Sequence, residues 1–224
     1  MKRSQINKLI DSSMSFMEQM RFHLPPWAFW APAEWRGKAE HAQEIIQNML
    51  GWDITDFGGN DFNAKGLILF TIRNGNLQTD SKPYAEKVMI VQENQQTPYH
   101  FHWQKMEDII NRGGGNLVIE IYGSTANERF SQNPVILSVD GFRRTVEPGG
   151  RVVLTPGQSI CLEPGVYHRF YGEKGKGAIL VGEVSAVNDD RNDNRFFEPQ
   201  GRFPKIEEDE EPLFLLNTDY PRYF

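Results

Sequence analysis

Four side chains of the types that bind metal ions stand out in the sequence. His100 and His102 are separated by one residue, Glu107 follows them, and His168 ends a Pro-Gly-x-x-His segment. Alternate residues of a strand share a face, so a strand through this segment would point His100 and His102 in the same direction. Imidazole and carboxylate groups are suitable ligands for a divalent cation. The spacing therefore predicts a metal site to which His168 adds a third imidazole.

The first three of these residues resemble the first motif of the cupin superfamily. In that motif His-x-His is followed by Glu and, after six more residues, by Gly. His100, His102, Glu107 and Gly114 fit the pattern.

The second cupin motif is matched less completely. It ends in Pro-x-Gly-x-x-His followed by Asn, and Gly165 and His168 agree with it. Pro164 is displaced by one residue, and Gly172 occupies the Asn position. The resemblance covers the β-rich part of the chain. It implies an all-β core, a double-stranded jelly-roll barrel with the metal inside.

Two longer segments, residues 99–108 and 182–196, together with an N-terminal helical arm, resemble the D-lyxose isomerase family of cupins. This resemblance implies an aldose–ketose isomerase that interconverts D-lyxose with D-xylulose, and often D-mannose with D-fructose. It also implies dependence on manganese or a similar divalent ion.

The ligand types fit such chemistry without the family name. Three imidazoles and one carboxylate occupy four positions of an octahedral ion and leave two for a sugar carbonyl and its neighbouring hydroxyl. Metal polarisation would acidify the C2 proton and stabilise an enediolate. The same ligands would serve a cupin dioxygenase or decarboxylase, or a sugar-binding cupin without activity, so these alternatives stay open. Manganese is the expected metal, although iron, zinc, cobalt and nickel also suit the ligands.

A base that is not a metal ligand is needed to carry the proton from C2 to C1. Glu183 is the first candidate because it is a charge in an apolar strand and shares a face with Ile179 and Val181. Its structural alternative is a partly exposed strand end. Lys105 is the second catalytic candidate, since it could steady the substrate oxygens, although a solvated turn lysine is equally consistent with its position.

Polar residues near these segments are candidates for binding sugar hydroxyls. Lys87 interrupts an apolar run, and Asp190, Asp193 and Arg195 lie in a polar segment that could close over the barrel mouth. An aromatic segment could stack on a sugar, but core packing or a subunit contact is the more common use of such residues: Trp27, Phe29, Trp30 and Trp35.

Helices are predicted only before the β-rich part. Apolar spacing predicts one over residues 4–21 with Ser4 as its N-cap, and another from about Ala39 to Leu50. Seven short runs rich in Val and Ile predict strands between residues 65 and 187. We therefore divide a single structural domain into an N-terminal arm at 1–64, a barrel at 65–187 and a polar loop with a tail at 188–224.

Composition restricts the partners. The net charge of −6 argues against binding of nucleic-acid phosphate, so a monosaccharide is the expected partner. With Cys161 as the single cysteine, no internal disulfide can form. No stretch reaches the roughly 20 apolar residues of a membrane span. These features predict a cytoplasmic protein without a membrane contact, and the apolar tail at 213–224 favours a homodimer.

Overall fold

Two antiparallel sheets account for most of the molecule. The computed structural model describes all residues, 1–224. Its strands are β1 (Gly51–Thr55), β2 (Leu67–Arg73), β3 (Tyr84–Val91), β4 (His100–Phe101), β5 (Glu107–Gly114), β6 (Leu117–Gly123), β7 (Val135–Val139), β8 (Phe142–Val146), β9 (Gly150–Leu154), β10 (Ser159–Leu162), β11 (Val166–Gly172), β12 (Ile179–Ala186) and β13 (Arg195–Phe196). The helices are α1 (Arg3–Gln19), α2 (Gln43–Gln47) and α3 (Tyr220–Tyr223).

The larger sheet has eight strands in the order β1-β2-β3-β12-β5-β10-β7-β8, and the smaller has five in the order β13-β4-β11-β6-β9. Their inward side chains form a core of 19 buried residues, to which both sheets contribute. Ile109 and Val181 belong to the larger sheet, whereas Ile119 and Phe170 belong to the smaller. Strands that follow one another in the chain often lie in different sheets, as in a jelly roll. The predicted all-β barrel is confirmed.

Helix α1 covers the outer face of the larger sheet. Ile6, Ile10 and Met17 recur at helical spacing and pack with Phe70 and Val88 in a second apolar cluster. The helix begins at Arg3 rather than at the predicted N-cap, Ser4.

The start of α1 is held by the acidic C-terminal segment. The Arg3 guanidinium is buried and donates to Glu208 and Asp219. Ser4 donates through its backbone and its hydroxyl to Asp209. The acidic run at 207–211 is exposed, but Glu208 and Asp209 also attach the tail to the helix.

The aromatic segment packs against the protein core. Trp27 lies 4.9 Å from Phe70, and Trp35 lies 5.6 Å from Tyr220, measured between ring centroids. None of its tryptophans lines the cavity that holds the predicted ligands. Trp27 and Trp35 therefore pack in the core, whereas Phe29 stays 44% exposed.

Several elements differ from the sequence prediction, and the strands β5, β8 and β11 lie outside the seven predicted runs. The helix expected at about 39–50 is a 3-10 turn at Ala39–His41 followed by the short α2. The strand β1 precedes the β region expected to begin near residue 65, and it was missed because Asp53 and Thr55 are buried polar residues that conceal its apolar pattern. None of the helices is long and apolar enough to cross a membrane.

Candidate metal centre and active site

The four predicted metal ligands lie together between the two sheets. His100 in β4 is directly opposite His168 in β11, so both come from the smaller sheet. Glu107 is the first residue of β5 in the larger sheet, and His102 follows the end of β4. The ligand atoms of the four residues all lie within 4.8 Å of one another. We call this group the His/Glu cluster.

Backbone carbonyl groups determine which nitrogen of each imidazole is free. Because a carbonyl oxygen only accepts, the Nδ1 facing it must carry the proton and donate. Each neutral ring then presents an unprotonated Nε2, the form that binds a metal. All three Nδ1 atoms lie within hydrogen-bonding distance of such an oxygen: His100 with Pro98 at 3.0 Å, His102 with Asp193 at 2.6 Å, and His168 with Val166 at 3.0 Å.

Three atoms of the cluster are buried without a hydrogen-bond partner: Nε2 of His102, Nε2 of His168 and Oε1 of Glu107. The Glu107 oxygen lies 3.0 Å from the His168 nitrogen and 3.4 Å from the His102 nitrogen. In the neutral tautomers that bind a metal, both nitrogens lack a proton, and these contacts would then bring lone pairs together. A cation among the lone pairs would remove this repulsion. The donor set fits a divalent metal ion, so the cluster could hold one.

The surroundings favour the charge states that metal binding requires. Burial, reinforced by His168 and His102, lowers the pKa of His100 well below its usual value. Burial alone would raise the pKa of Glu107, but Lys105 and His102 outweigh it and hold that pKa well below its usual range. At neutral pH His100 is therefore neutral and Glu107 ionised.

A second buried carboxylate, Glu183 in β12, lies beside the cluster. Lys105 connects the two, since its Nζ is 3.0 Å from Oε1 of Glu183 and 2.8 Å from Oε2 of Glu107. Lys87 approaches the same Glu183 oxygen at 3.3 Å. Burial would raise the pKa of Glu183, but the two ammonium groups lower it. Glu183 is thus ionised at neutral pH without being part of the cluster.

Lys105 is not a solvated turn residue. Its side chain is 3% exposed, the same as that of Glu107. Burial disfavours its charge, but Glu107 and Glu183 raise its pKa above the usual lysine value. The protonated Nζ of Lys105 is therefore a proton donor that lies between two carboxylates inside the barrel.

A cavity opens onto these groups. All four cluster residues line it, and so do Glu183, Lys105, Lys87 and Asp190. Arg202, which also lines the cavity, pairs with Asp190 at 2.9 Å and with Asp53 at 2.5 Å. The Nη1 of this guanidinium is buried with no partner.

Arg202 was not predicted from the sequence. One of its two partners, Asp53, lies 149 residues away in the chain, and no motif surrounds Arg202. Burial would raise the pKa of Asp190, but Arg202 and Lys87 hold it well below its usual range. The cavity therefore has an ion pair that only the fold reveals.

Two predicted sugar-binding residues do not line this cavity. The carboxylate of Asp193 accepts from the backbone N–H groups of Trp103, Gln104 and Lys105 at 2.8–3.0 Å. Arg195 pairs with Glu128 at 2.5 Å. Asp193 therefore fixes the turn between His102 and Glu107 instead of facing the cavity, and Arg195 is occupied outside it.

Comparison with known proteins agrees with this geometry. The family model described as D-lyxose isomerase matches residues 1–220. The chain belongs to the D-lyxose isomerase family. It is 48% identical to a D-lyxose/D-mannose isomerase of Serratia proteamaculans, with 100% of this chain and 99% of the relative covered. It is 46% identical to a protein of the same name from Escherichia coli O157:H7, with both chains covered completely.

Solved structures of sugar isomerases share the fold. The L-ribose isomerase of Geodermatophilus obscurus aligns with a TM-score of 0.63 at 14% identity, covering 92% of this chain and 98% of that one. That of Cellulomonas parahominis, solved with L-ribose, aligns with a TM-score of 0.61 at 15% identity and the same coverage. At such low identity these likenesses concern the fold alone, and the cupin barrel predicted from the motifs is confirmed.

Membership of the family decides between the classes left open by the sequence. The chain is an aldose–ketose isomerase, and neither a dioxygenase nor a binding protein without activity is needed to explain it.

Proposed function

We propose that this protein interconverts D-lyxose with D-xylulose, and D-mannose with D-fructose, with one manganese ion per chain. The observation that carries the proposal is the ionised Glu183 beside the His/Glu cluster, joined to it by Lys105. The names of the two relatives, each a D-lyxose/D-mannose isomerase, support the choice of sugars.

His100, His102, Glu107 and His168 would hold the metal. When bound, it acidifies the proton at C2 and balances the negative charge that develops on the two neighbouring sugar oxygens. The fixed tautomers of the imidazoles support this assignment because they present Nε2 without a change of protonation. The Asp193 carbonyl helps to orient His102, which makes Asp193 a positioning residue.

Glu183 is the proton carrier in this proposal. Its carboxylate is ionised at neutral pH and therefore accepts the proton from C2 and returns it to C1 of the same substrate. Lys105 is protonated and donates to the substrate oxygens as their charge changes. Lys87 also contacts Glu183, 3.3 Å from the oxygen that Lys105 contacts.

Asp190 and Arg202 bind the sugar hydroxyls that are remote from C1 and C2. Both line the cavity, and the unpartnered Nη1 of Arg202 supplies a donor for a hydroxyl oxygen. We propose no direct sugar contact for Asp193 or Arg195, whose side chains are bound elsewhere.

We further propose that the protein is a cytoplasmic homodimer with one structural domain. Its single cysteine fits a reducing compartment. The apolar tail at 213–224 includes Leu213 and Phe224, which remain 37% and 43% exposed on the isolated chain and offer surface to a partner. Light scattering at several protein concentrations tests the dimer.

A substrate screen tests the activity. The metal-stripped protein is supplied with one divalent ion at a time and offered a panel of pentoses and hexoses, and ketose formation is measured. We expect D-lyxose and D-mannose to be converted, fastest with manganese. Oxygen uptake coupled to turnover, or conversion of neither sugar with any ion, would refute the proposal.

A further inference from the structure

A second cavity lies behind the segment that follows β12. It contains about 1100 Å³ of space not filled by atoms, part of it open to solvent, against about 530 Å³ measured in the same way for the cavity with the His/Glu cluster. Its walls are the end of α2, the loop after β2 and residues 187–192, with Asn217 from the C-terminal tail. Asp190 lines both cavities, so the polar segment after β12 is the wall between them.

Carboxamide side chains dominate the lining of this second cavity, among them Asn48, Asn74, Asn76, Asn188 and Asn217. An amide offers donors and an acceptor without net charge, which complements the hydroxyl groups of an uncharged sugar. The acidic groups on the wall are already engaged, since Asp189 accepts from its own loop and Asp190 pairs with Arg202. Arg191 is the one basic residue of the lining, so eight carboxamide groups and a single cation line the cavity, a set that suits a polyhydroxylated ligand.

One acceptor in this lining is buried and unused. Asn217 is 4% exposed, and its Nδ2 donates to the Met49 carbonyl oxygen at 3.3 Å. Because a carbonyl must face the amide nitrogen, the other atom is the oxygen Oδ1, which has no hydrogen-bond partner in the protein. A buried acceptor without a donor destabilises a fold unless a ligand supplies the donor.

Asn188 connects the second cavity to the first. Its backbone N–H donates to Oδ1 of Asn74 at 2.9 Å, and its carbonyl accepts from Nδ2 of the same residue at 3.0 Å. Its side-chain oxygen accepts from Lys105 at 3.3 Å and from Lys87. A ligand that contacts Asn188 therefore touches a residue that is hydrogen-bonded to Lys105 and Lys87, the two lysines that contact Glu183. A ligand that contacts Asn74 reaches the same lysines through Asn188.

We propose that this amide-lined cavity is a second binding site for an uncharged monosaccharide, and that its occupation changes turnover at the metal site through Asn188. The coupling to turnover rests on the isomerase activity proposed above, whereas binding in the second cavity does not. Excess substrate or product sugar is then the ligand, and no other molecule is required.

The test fills the second cavity without touching the first. Gln78 lines it and is exposed, so Gln78→Trp places a bulky ring there, while Thr79→Trp puts the same ring on the neighbouring exposed residue, which does not line it. Initial rates of the manganese-loaded enzyme are measured over a wide range of D-mannose concentration. We expect the parent and Thr79→Trp to depart at least twofold from a single hyperbola at high sugar, and Gln78→Trp to follow one hyperbola with unchanged kcat/KM. A single hyperbola for all three proteins would overturn the coupling.

A stoichiometry measurement separates this proposal from the isomerase proposal. Calorimetric titration of D-mannose into manganese-loaded Glu183→Gln protein, in which turnover is blocked, counts the bound sugars. We expect two per chain, falling to one when Gln78→Trp is added and staying at two with Thr79→Trp. One sugar per chain throughout would overturn the second site while leaving the isomerase intact. If the parent protein isomerises no sugar but two sugars per chain still bind, the result would support the second site and refute only the proposed activity.

Discussion

Two buried glutamates, one on each sheet, have opposite environments. Glu120, on the outer face of the smaller sheet, accepts from Tyr99, Arg169, Arg151 and Tyr171 at 2.6–2.9 Å. Glu107, inside the barrel, has one oxygen bound by Lys105 and another that faces two imidazole nitrogens without any donor. A fully satisfied carboxylate stabilises the fold, whereas one that faces converging lone pairs is arranged for a cation.

Removing the charge of Glu107 or of Glu120 tests this comparison most strongly. Glu107→Gln should lower metal affinity by more than about 100-fold and abolish activity, because a metal ligand is lost. His102→Ala should do the same. Metal content by elemental analysis and ketose formation are measured on the same samples. The contrasting variant Glu120→Gln should keep its metal, and an equal loss of metal from it would erase the distinction between the two sites.

Glu183 separates proton transfer from metal binding. Glu183→Gln should keep the metal but slow exchange of the substrate C2 proton by about 100-fold or more, since the amide cannot accept it. Proton NMR in D₂O with D-mannose follows this exchange. Undiminished exchange in a variant with full metal content would remove Glu183 from the base role.

Acid should release the metal from the cluster. The ligand imidazoles must be neutral, and protons compete once the pH falls below about 6. The depressed pKa of His100 means that this ring does not take up a proton at neutral pH. Metal content after dialysis at stepped pH should therefore be complete at pH 7 and fall below about pH 6. Complete retention well below the usual imidazole pKa of about 6.5, down to pH 4, would be inconsistent with three histidine ligands.

The smallest effect belongs to Glu120. Glu120→Gln should lower the free energy of unfolding by about 2 kcal/mol at pH 7, because hydrogen bonds to a charged acceptor are weakened. Its pKa in the fold lies below the usual value: burial alone would raise it, but donation from Tyr99 and Arg169 lowers it. The contribution is therefore present above the unfolded pKa of about 4.3 and is lost as the pH falls through the folded pKa.

Urea unfolding of the parent and of Glu120→Gln, from pH 7 down to pH 3, measures the difference between their free energies of unfolding. Glu147→Gln is the control, since Glu147 is exposed. The parent and Glu120→Gln curves should converge at acid pH, while Glu147→Gln should track the parent throughout. A constant gap down to pH 3 would show that the Glu120 charge is not the source of its stabilisation.

Much of the site could be predicted because its signal is local. His100, His102 and Glu107 lie within eight consecutive residues, and their spacing already fits a strand followed by a turn. His168 is far away in sequence, but its Pro-Gly turn marks it. Glu183 was conspicuous because a charge in a buried apolar strand needs a reason to be there.

The rest depends on contacts between distant segments. Arg202 pairs with Asp53 of β1, and β1 itself carries buried polar residues that hide its strand pattern. The strand β8 was also missed, for a different reason. It lies at the edge of the larger sheet, and all of its residues except Val146 are exposed, so it has no apolar face. Asp193 was predicted to bind a sugar hydroxyl because the sequence does not reveal that its carboxylate accepts from backbone N–H groups of the turn.

Metal removal and readdition tests the central claim most directly. The protein is stripped with a chelator, manganese is returned in substoichiometric steps, and bound metal and D-lyxose isomerisation are measured at each step. Activity should fall to background on stripping and rise in proportion to bound manganese until one ion per chain is reached. Full activity in protein shown to be free of metal would contradict the assignment of the His/Glu cluster.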